Sequence, residues 1–182
     1  MSIPQWFAGQ VLLADDMNAR LPRLVTQQND QTVTNSATMV ASEITFTPEP
    51  NAVYRYWMLI SYSANQACGL AWSWNAPGAL LASFTNSIAD PATAGTANTP
   101  QSVNMRRPGN TTGRLAGGSD ADATIPPVSF HSAYDQGSFA TDGTLQPVTL
   151  MFACASPSGT VTGAQAILRG GNQTRLIYER IG

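Results

Sequence analysis

The single histidine of the chain, His131, lies in the stretch VSFHSAY and is the first residue to test for reaction chemistry. A general base needs a nucleophile and an orienting carboxylate within hydrogen-bond reach. No G-x-S-x-G or comparable signature of a nucleophile occurs in the sequence. We therefore expect His131 at the surface or at a strand edge, and we expect no catalytic residue.

Two further polar motifs could bind ions. Asp120 and Asp122, in GGSDADAT, are spaced like the start of a calcium loop, but the later Gly and the distal Glu are missing. A polar surface turn is therefore the favoured interpretation. Arg106 and Arg107 could contact phosphate or an acidic surface, although an inter-subunit pair or a solvated turn is favoured. We predict no metal site and no cofactor.

Cys68 and Cys154 are the two cysteines, and each lies inside an apolar run. The default expectation is a pair of buried free thiols. A disulfide between them is the alternative, because both could face one core. No CxxC motif or Cys/His spacing typical of a metal site is present.

Composition narrows the class of protein. A chain of 182 residues with a net charge of −2 suggests one domain with an appended arm, and gives little support to a nucleic-acid partner. Charged residues make up 11 %, which fits a surface packed against copies of itself or a larger assembly. No apolar run of about 18 residues and no signal peptide are present, so we expect no membrane partner.

From residue 36 onward the sequence is typical of β-structure. VYRYWMLISYS alternates two apolar faces, so we expect this strand to be covered on both sides. One face consists of Tyr54, Tyr56, Met58, Ile60 and Tyr62, and the other of Val53, Trp57 and Leu59. Further along, Val148, Leu150, Phe152 and Cys154 share a face.

Eight or nine short strands separated by turn signals predict an all-β fold, an antiparallel β-sandwich or barrel. Because the chain ends on a strand, we favour a jelly roll, whose last strand is central. Residues 87–127 are rich in Pro, Gly, Ala, Thr and Asn. They predict a long loop region with one or two short strands at most, such as SVNMRR.

Residues 1–35 differ from the rest and are predicted to form a docking arm, with the head at 36–182. Asp15 or Asp16 can cap a short helix whose apolar face would include Met17, Leu21, Leu24 and Gln28, and Pro22 either ends that helix or begins a second turn. So short an amphipathic helix must dock on another surface to be stable. The predicted docking residues are Trp6, Phe7, Leu12, Leu13, Met17, Leu21 and Leu24.

The opening residues also contain a pattern formed by Trp6, Gly9, Leu12-Leu13-Ala14, Asp16 and Asn18. This pattern resembles the N-terminal segments of virion structural proteins from phages of actinobacteria. Leu13 stands where Thr is common, and Pro22 interrupts the helix that usually follows. The closing QTRLIYERIG is similar to the last strand of the jelly-roll heads that often follow such segments.

The resemblance implies a non-enzymatic protein of the virion surface, assembled in the host cytoplasm. Such heads are commonly homotrimers that close around a three-fold axis through apolar sheet faces. The expected partners are further copies of the chain and the major capsid protein or another virion protein. The candidates for the subunit interface are Tyr54, Tyr56, Trp57, Met58, Arg106 and Arg107.

Three functions remain to be compared at this stage. A capsid decoration protein or head fibre is the first choice, because the chain lacks a collagen-like or coiled-coil shaft. The alternative is a tail-tip or tail-fibre adhesin for host attachment, with the loops of 87–127 at its tip and a host cell-surface glycan as ligand. A carbohydrate-active enzyme would need a pair of carboxylates in a cleft, and their separation cannot be read from sequence.

Overall fold

The computed structural model describes residues 7–9, 11, 13–14, 18, 21–77, 114–144, 146–155 and 163–182, and the strand backbone alone at 79–80, 85–89 and 102–106. These residues contain thirteen β-strands. In chain order they are β1 (Arg23–Thr26), β2 (Gln31–Thr34), β3 (Val40–Phe46), β4 (Val53–Ala64), β5 (Leu70–Asn75), β6 (Ala79–Leu80), β7 (Thr85–Ala89), β8 (Ser102–Arg106), β9 (Arg114–Ala116), β10 (His131–Thr141), β11 (Val148–Ala153), β12 (Gln165–Leu168) and β13 (Arg175–Arg180).

Nested antiparallel pairing organises these strands into two sheets. The larger sheet has the order β1-β13-β4-β10-β7-β8, with β12, β2 and β6 attached at its sides, and the smaller has the order β3-β11-β5-β9. Thus β1 pairs with β13, β3 with β11, β4 with β10 and β5 with β9. A long antiparallel ribbon rolled into two sheets produces this nesting, which is the jelly-roll topology. The predicted antiparallel β-sandwich is confirmed, and the last strand lies inside its sheet.

The inward faces of both sheets form one hydrophobic core. On β4 the buried residues alternate as predicted, from Tyr54 to Tyr62, and on β11 Val148, Leu150 and Phe152 are buried. Aromatic rings fill one end of the core, where the ring centroids of Phe46 and Tyr178 lie 4.1 Å apart. Offset ring stacking of this kind adds to the free energy gained from burial alone.

The predicted arm is too long, because residues 23–34 form β1 and β2 of the larger sheet. β1 pairs with β13 and β2 pairs with β12. Of the two alternatives at Pro22, a second helical turn through Leu24 and Gln28 is therefore wrong: Pro22 lacks the N–H that a helix interior needs, and the β-branched residues that follow favour strands. Ala14 and Asn18 have helical backbone, whereas Trp6, Leu12 and Met17 lie outside the described residues.

The region predicted as a long loop, residues 87–127, contains more sheet than expected. The end of β7, all of β8 and all of β9 fall within it. β7 pairs with β10 and β8 with β7, so this part of the chain widens the larger sheet beyond β10. Residues 90–101 and 107–113 lie outside the described residues.

The two cysteines form a disulfide, so the default expectation of free thiols is wrong. Cys68 lies just before β5 and Cys154 just after β11, and these strands are neighbours in the smaller sheet. Their Cα atoms are 5.0 Å apart and 86 residues apart in sequence. Both side chains are buried in the core. The disulfide, which was the alternative expectation, forms because the turn between β4 and β5 brings Cys68 beside Cys154 at the end of β11.

Replacing both cysteines, as Cys68→Ala and Cys154→Ala, should lower the free energy of unfolding by about 2–5 kcal/mol, because the cross-link restricts a long loop in the unfolded chain. Urea denaturation followed by tryptophan fluorescence measures this loss. Wild type treated with a reductant is the matched control, and it should lose a similar free energy of unfolding relative to the oxidised wild type. Equal denaturation midpoints for the variant and the oxidised wild type would contradict the expectation.

Candidate functional site

His131 lies at the start of β10 and contacts a serine hydroxyl. Its Nε2 atom is 2.9 Å from Ser119 Oγ, and its ring packs on Tyr62 with centroids 5.3 Å apart. A nucleophile–base pair also requires a group that orients the imidazole and donors that stabilise an oxyanion. Asp120, the carboxylate next to Ser119 in sequence, accepts hydrogen bonds from the Ser129 backbone N–H at 2.9 Å and from the Ser129 hydroxyl at 2.8 Å.

The Asp120–Asp122 turn ties the loop after β9 to the end of β4. Asp122 accepts a hydrogen bond from the backbone N–H of Ala67 at 2.9 Å. Asn65 donates to the carbonyl oxygens of Ala121 at 3.0 Å and Thr124 at 2.7 Å. Both carboxylates therefore accept hydrogen bonds from groups of their own chain. Among the described residues, no cluster of three or more His, Cys, Asp or Glu side chains could hold a metal.

Sequence reasoning missed a buried charged pair that joins the two sheets. Asp135 faces inward from β10 and Arg114 faces inward from β9, with Arg114 Nε 3.2 Å from Asp135 Oδ2. Trp72 Nε1 donates to Asp135 Oδ2 at 3.0 Å, and the Tyr56 hydroxyl donates to Oδ1 at 3.3 Å. Gly137 makes room for Tyr56, since a Cβ at residue 137 would lie 3.1 Å from its ring.

Burial dominates the electrostatics of this pair. Loss of solvation raises the pKa of Asp135 from 3.8 to about 6, although the charge of Arg114 and the hydrogen bonds from Trp72 and Tyr56 act in the opposite direction. Asp135 is 0 % and Arg114 3 % exposed, and the gap beside Tyr56 and Trp74 is only large enough for about one water molecule. A substrate has no access to this carboxylate, so the pair acts as a link between the sheets.

The titration of Asp135 should make stability depend on pH. Between these two pKa values, the native state keeps a proton on Asp135 that the unfolded chain has released. The resulting stabilisation of the native state is fully present below about pH 4 and is lost as the pH rises through about 6. The span from 3.8 to about 6 corresponds to about 3 kcal/mol. Urea denaturation should show wild type losing about 3 kcal/mol relative to Asp135→Asn between pH 4 and pH 7.

A stability difference between wild type and Asp135→Asn that stays constant from pH 4 to pH 7 would contradict this. Arg114→Met provides the matched control, because it removes the compensating charge and leaves the carboxylate in place. Its destabilisation should be larger at pH 7, where Asp135 is ionised, than at pH 4, where the carboxyl is neutral.

The outer face of the larger sheet carries apolar side chains across its central strands. Leu24 is 61 % and Ile177 38 % exposed, and Trp57, Leu59 and Tyr134 are half-buried. Strand register places Leu24 beside Ile177, Ile177 beside Trp57, and Leu59 beside Tyr134. We name these five residues the apolar row. Isolated exposed apolar residues are ordinary, but a contiguous set marks an interaction surface.

Charged residues border the apolar row. On one side, Arg55 pairs with Glu179 and its guanidinium lies 4.7 Å above the Trp57 ring. On the other side, the exposed Arg175 is paired in register with Leu59. An apolar centre with a polar rim is the usual arrangement of a protein interface.

The predicted interface residues fall on different surfaces. Tyr54, Tyr56 and Met58 point into the core of their own chain, so for these three the prediction is wrong. The strand alternates, and only its odd-numbered residues, including Trp57, face outward. Arg106 is the last residue of β8, and Arg107 lies outside the described residues.

The described residues that precede β1 are highly exposed. Phe7, Val11, Leu13 and Leu21 are 58–79 % exposed. Leu21 borders a surface gap with Tyr54, Tyr178 and Arg180, at the end of the sandwich where β4 begins. Leu24, predicted as an arm residue, belongs to β1 and to the apolar row. We call residues 1–21 the leading segment.

A second exposed apolar group lies at the opposite end of the sandwich. Ile125, Val128 and Phe130 are exposed in the loop between β9 and β10. Arg169 fixes this loop: its guanidinium lies 4.6 Å from the Phe130 ring and donates to the Pro127 carbonyl at 2.9 Å. β4 has 12 residues, so at roughly 3.3 Å per residue the two ends are about 36 Å apart.

No protein-family model and no curated protein matches this chain. Among solved structures it is similar to one titled "Structure of infectious bursal disease virus Gx strain", with 10 % identity and a TM-score of 0.21. The match covers 89 % of this chain and 37 % of that chain. So low a TM-score carries no argument, and the strand pairing defines the class: a jelly-roll β-sandwich. Within the described residues, no helix has the length and apolar character to cross a bilayer.

Proposed function

We propose that this chain is a non-enzymatic structural protein of a phage particle surface, of the capsid decoration or head-fibre type. The observation that carries the proposal is the leading segment, whose large apolar residues Phe7, Val11 and Leu13 stay 62–79 % exposed beside a completed core. Exposed apolar surface of this kind is stabilised when another polypeptide covers it.

Fold alone does not decide between functions, since jelly rolls occur in viral capsid proteins, lectins and cupins. A virion role is supported by the resemblance of Trp6, Gly9 and Leu12-Leu13-Ala14 to the opening of phage structural proteins. The non-enzymatic assignment is supported by the carboxylates of the site, because Asp135 is enclosed and Asp120 and Asp122 accept structural hydrogen bonds.

The two ends of the β-sandwich differ, which fits attachment to the particle at one end and exposure of the head at the other. The leading segment leaves the sandwich beside Tyr54 and Tyr178, and the fixed loop with Val128 and Phe130 lies about 36 Å away along β4. We infer that the leading segment faces the particle, bound to the major capsid protein or another virion protein. The head, as a homotrimer, projects outward on the particle surface.

The fixed loop also favours a second candidate, a tail-tip or tail-fibre adhesin. Three exposed apolar side chains, Ile125, Val128 and Phe130, are held at the end that would face the host. A preorganised loop loses little entropy on binding, which suits a receptor contact such as a host cell-surface glycan. Copy number per particle distinguishes the candidates: hundreds of copies support decoration and a handful supports the tail.

A chain that starts at Leu21 should fold but fail to join the particle. β1 begins at Arg23, so this truncation leaves every strand intact and removes only the exposed apolar segment. Circular dichroism checks the fold, and a gel of purified particles from the source phage measures incorporation. We expect at least about a tenfold loss of incorporation, since losing an anchor residue alone commonly costs 1–2 kcal/mol or more.

The matched control is the double variant Val128→Ser and Phe130→Ser, which changes apolar exposure at the opposite end of the sandwich. It should join the particle at the wild-type level. Normal incorporation of the folded truncation would overturn the proposed attachment through the leading segment.

A further inference from the structure

Two apolar surfaces are exposed in the described part of the chain. One is the leading segment, in which Val11 is 79 % and Leu13 62 % exposed. The other is the apolar row on the larger sheet, in which Leu24 is 61 % exposed. Each of these surfaces is apolar and can be buried against the other, yet both are exposed in a single chain.

The root of the leading segment lies close to the apolar row. Leu21 precedes β1, the strand at the edge of the larger sheet, and the Leu21 N–H donates to the Asn18 carbonyl at 3.3 Å. Ten residues span about 15 Å as a helix and up to about 33 Å as extended chain. Three strands at about 4.8 Å spacing are narrower, so the leading segment is long enough to cross a neighbouring sheet.

The charges of the two surfaces are complementary. Arg175 is exposed at one border of the apolar row, and the other border carries the Arg55–Glu179 pair. Residues 11–21 carry two acidic residues, Asp15 and Asp16, and one basic residue, Arg20, so their net charge is −1. An acidic pair beside apolar residues matches an apolar row with an exposed guanidinium at its border, which favours one binding orientation over others.

We propose that residues 11–21 of one copy lie across the apolar row of a second copy. This inference rests on the oligomeric head of the proposed function and adds which surfaces form its contact. When each copy donates its segment to the next around a rotation axis, the ring closes and every apolar row is covered. Residues 1–10, including Phe7, are then left for the particle.

Photo-crosslinking between distinguishable copies tests the exchange. Benzoylphenylalanine replaces Leu13 in a copy with one affinity tag, and it is co-expressed with a copy that carries a second tag and no probe. Light should produce a species with both tags. Cleavage after arginine should place the crosslink in the peptide Leu24–Arg55, in Leu176–Arg180 or in the one that contains Trp57. A probe at Phe130 is the matched control and should give no crosslink to these peptides.

A substitution in the apolar row supplies a second readout. Ile177→Asp in the copy without the probe should lower the yield of the two-tag species about tenfold, as expected for loss of a central interface contact. Circular dichroism and the melting temperature confirm that this variant is folded. Val128→Asp, a charge placed at the opposite end of the sandwich, should leave the yield unchanged.

Crosslinks confined to one copy, crosslinks to peptides outside the apolar row, or a wild-type yield from folded Ile177→Asp would each overturn the exchange. The result is separable from the proposed function. A truncation that fails to join particles, combined with absent crosslinks between copies, would overturn the exchange alone. Crosslinks between copies with normal incorporation of the truncation would overturn particle attachment alone.

Discussion

Pairing of the first strand with the last is the constraint on which the rest of the structure depends. β13 lies between β1 and β4, so the two ends of the head are joined within one sheet and the ribbon is closed. The same pairing aligns Leu24, Ile177 and Trp57 on the outer face. It also places Leu21 at a sheet edge, from which the leading segment departs. Closure of the core and creation of an exposed apolar surface therefore have one cause.

The interior contains one charged pair among the described residues, and this pair holds the two sheets together. Asp135 and Arg114 come from opposite sheets, and Trp72 and Tyr56 satisfy the carboxylate that they enclose. A buried pair of this kind costs solvation free energy and is better at specifying an arrangement than at stabilising it. It links β9 of the smaller sheet to β10 of the larger sheet. With the interior closed in this way, the described residues leave three apolar surfaces for function: the outer face of the larger sheet, the exposed residues of the leading segment and the loop at Phe130.

Residue patterns with a period of two predicted correctly which faces of the strands are buried. Contacts between residues far apart in the sequence could not be predicted in this way. Alternation correctly identified the buried faces of β4 and β11, because a one-residue slip would expose every core side chain. The second helical turn through Leu24, one of the two alternatives at Pro22, does not form because residues 23–34 pair with strands more than 100 residues away. The Cys68–Cys154 bond and the Asp135–Arg114 pair depend on tertiary contacts with no local signal. Asp135 shares its face with Ala133 and Phe139, a clue that an acid lies in the core.

The central claim is that further copies of the chain cover the apolar row that one copy leaves exposed. Sedimentation velocity of the purified full chain at micromolar concentration tests this most directly, because it reports mass without a particle or a host. The account predicts a closed oligomer of about three times the 19.3 kDa of one chain. A single folded species of 19.3 kDa at every concentration examined would contradict it.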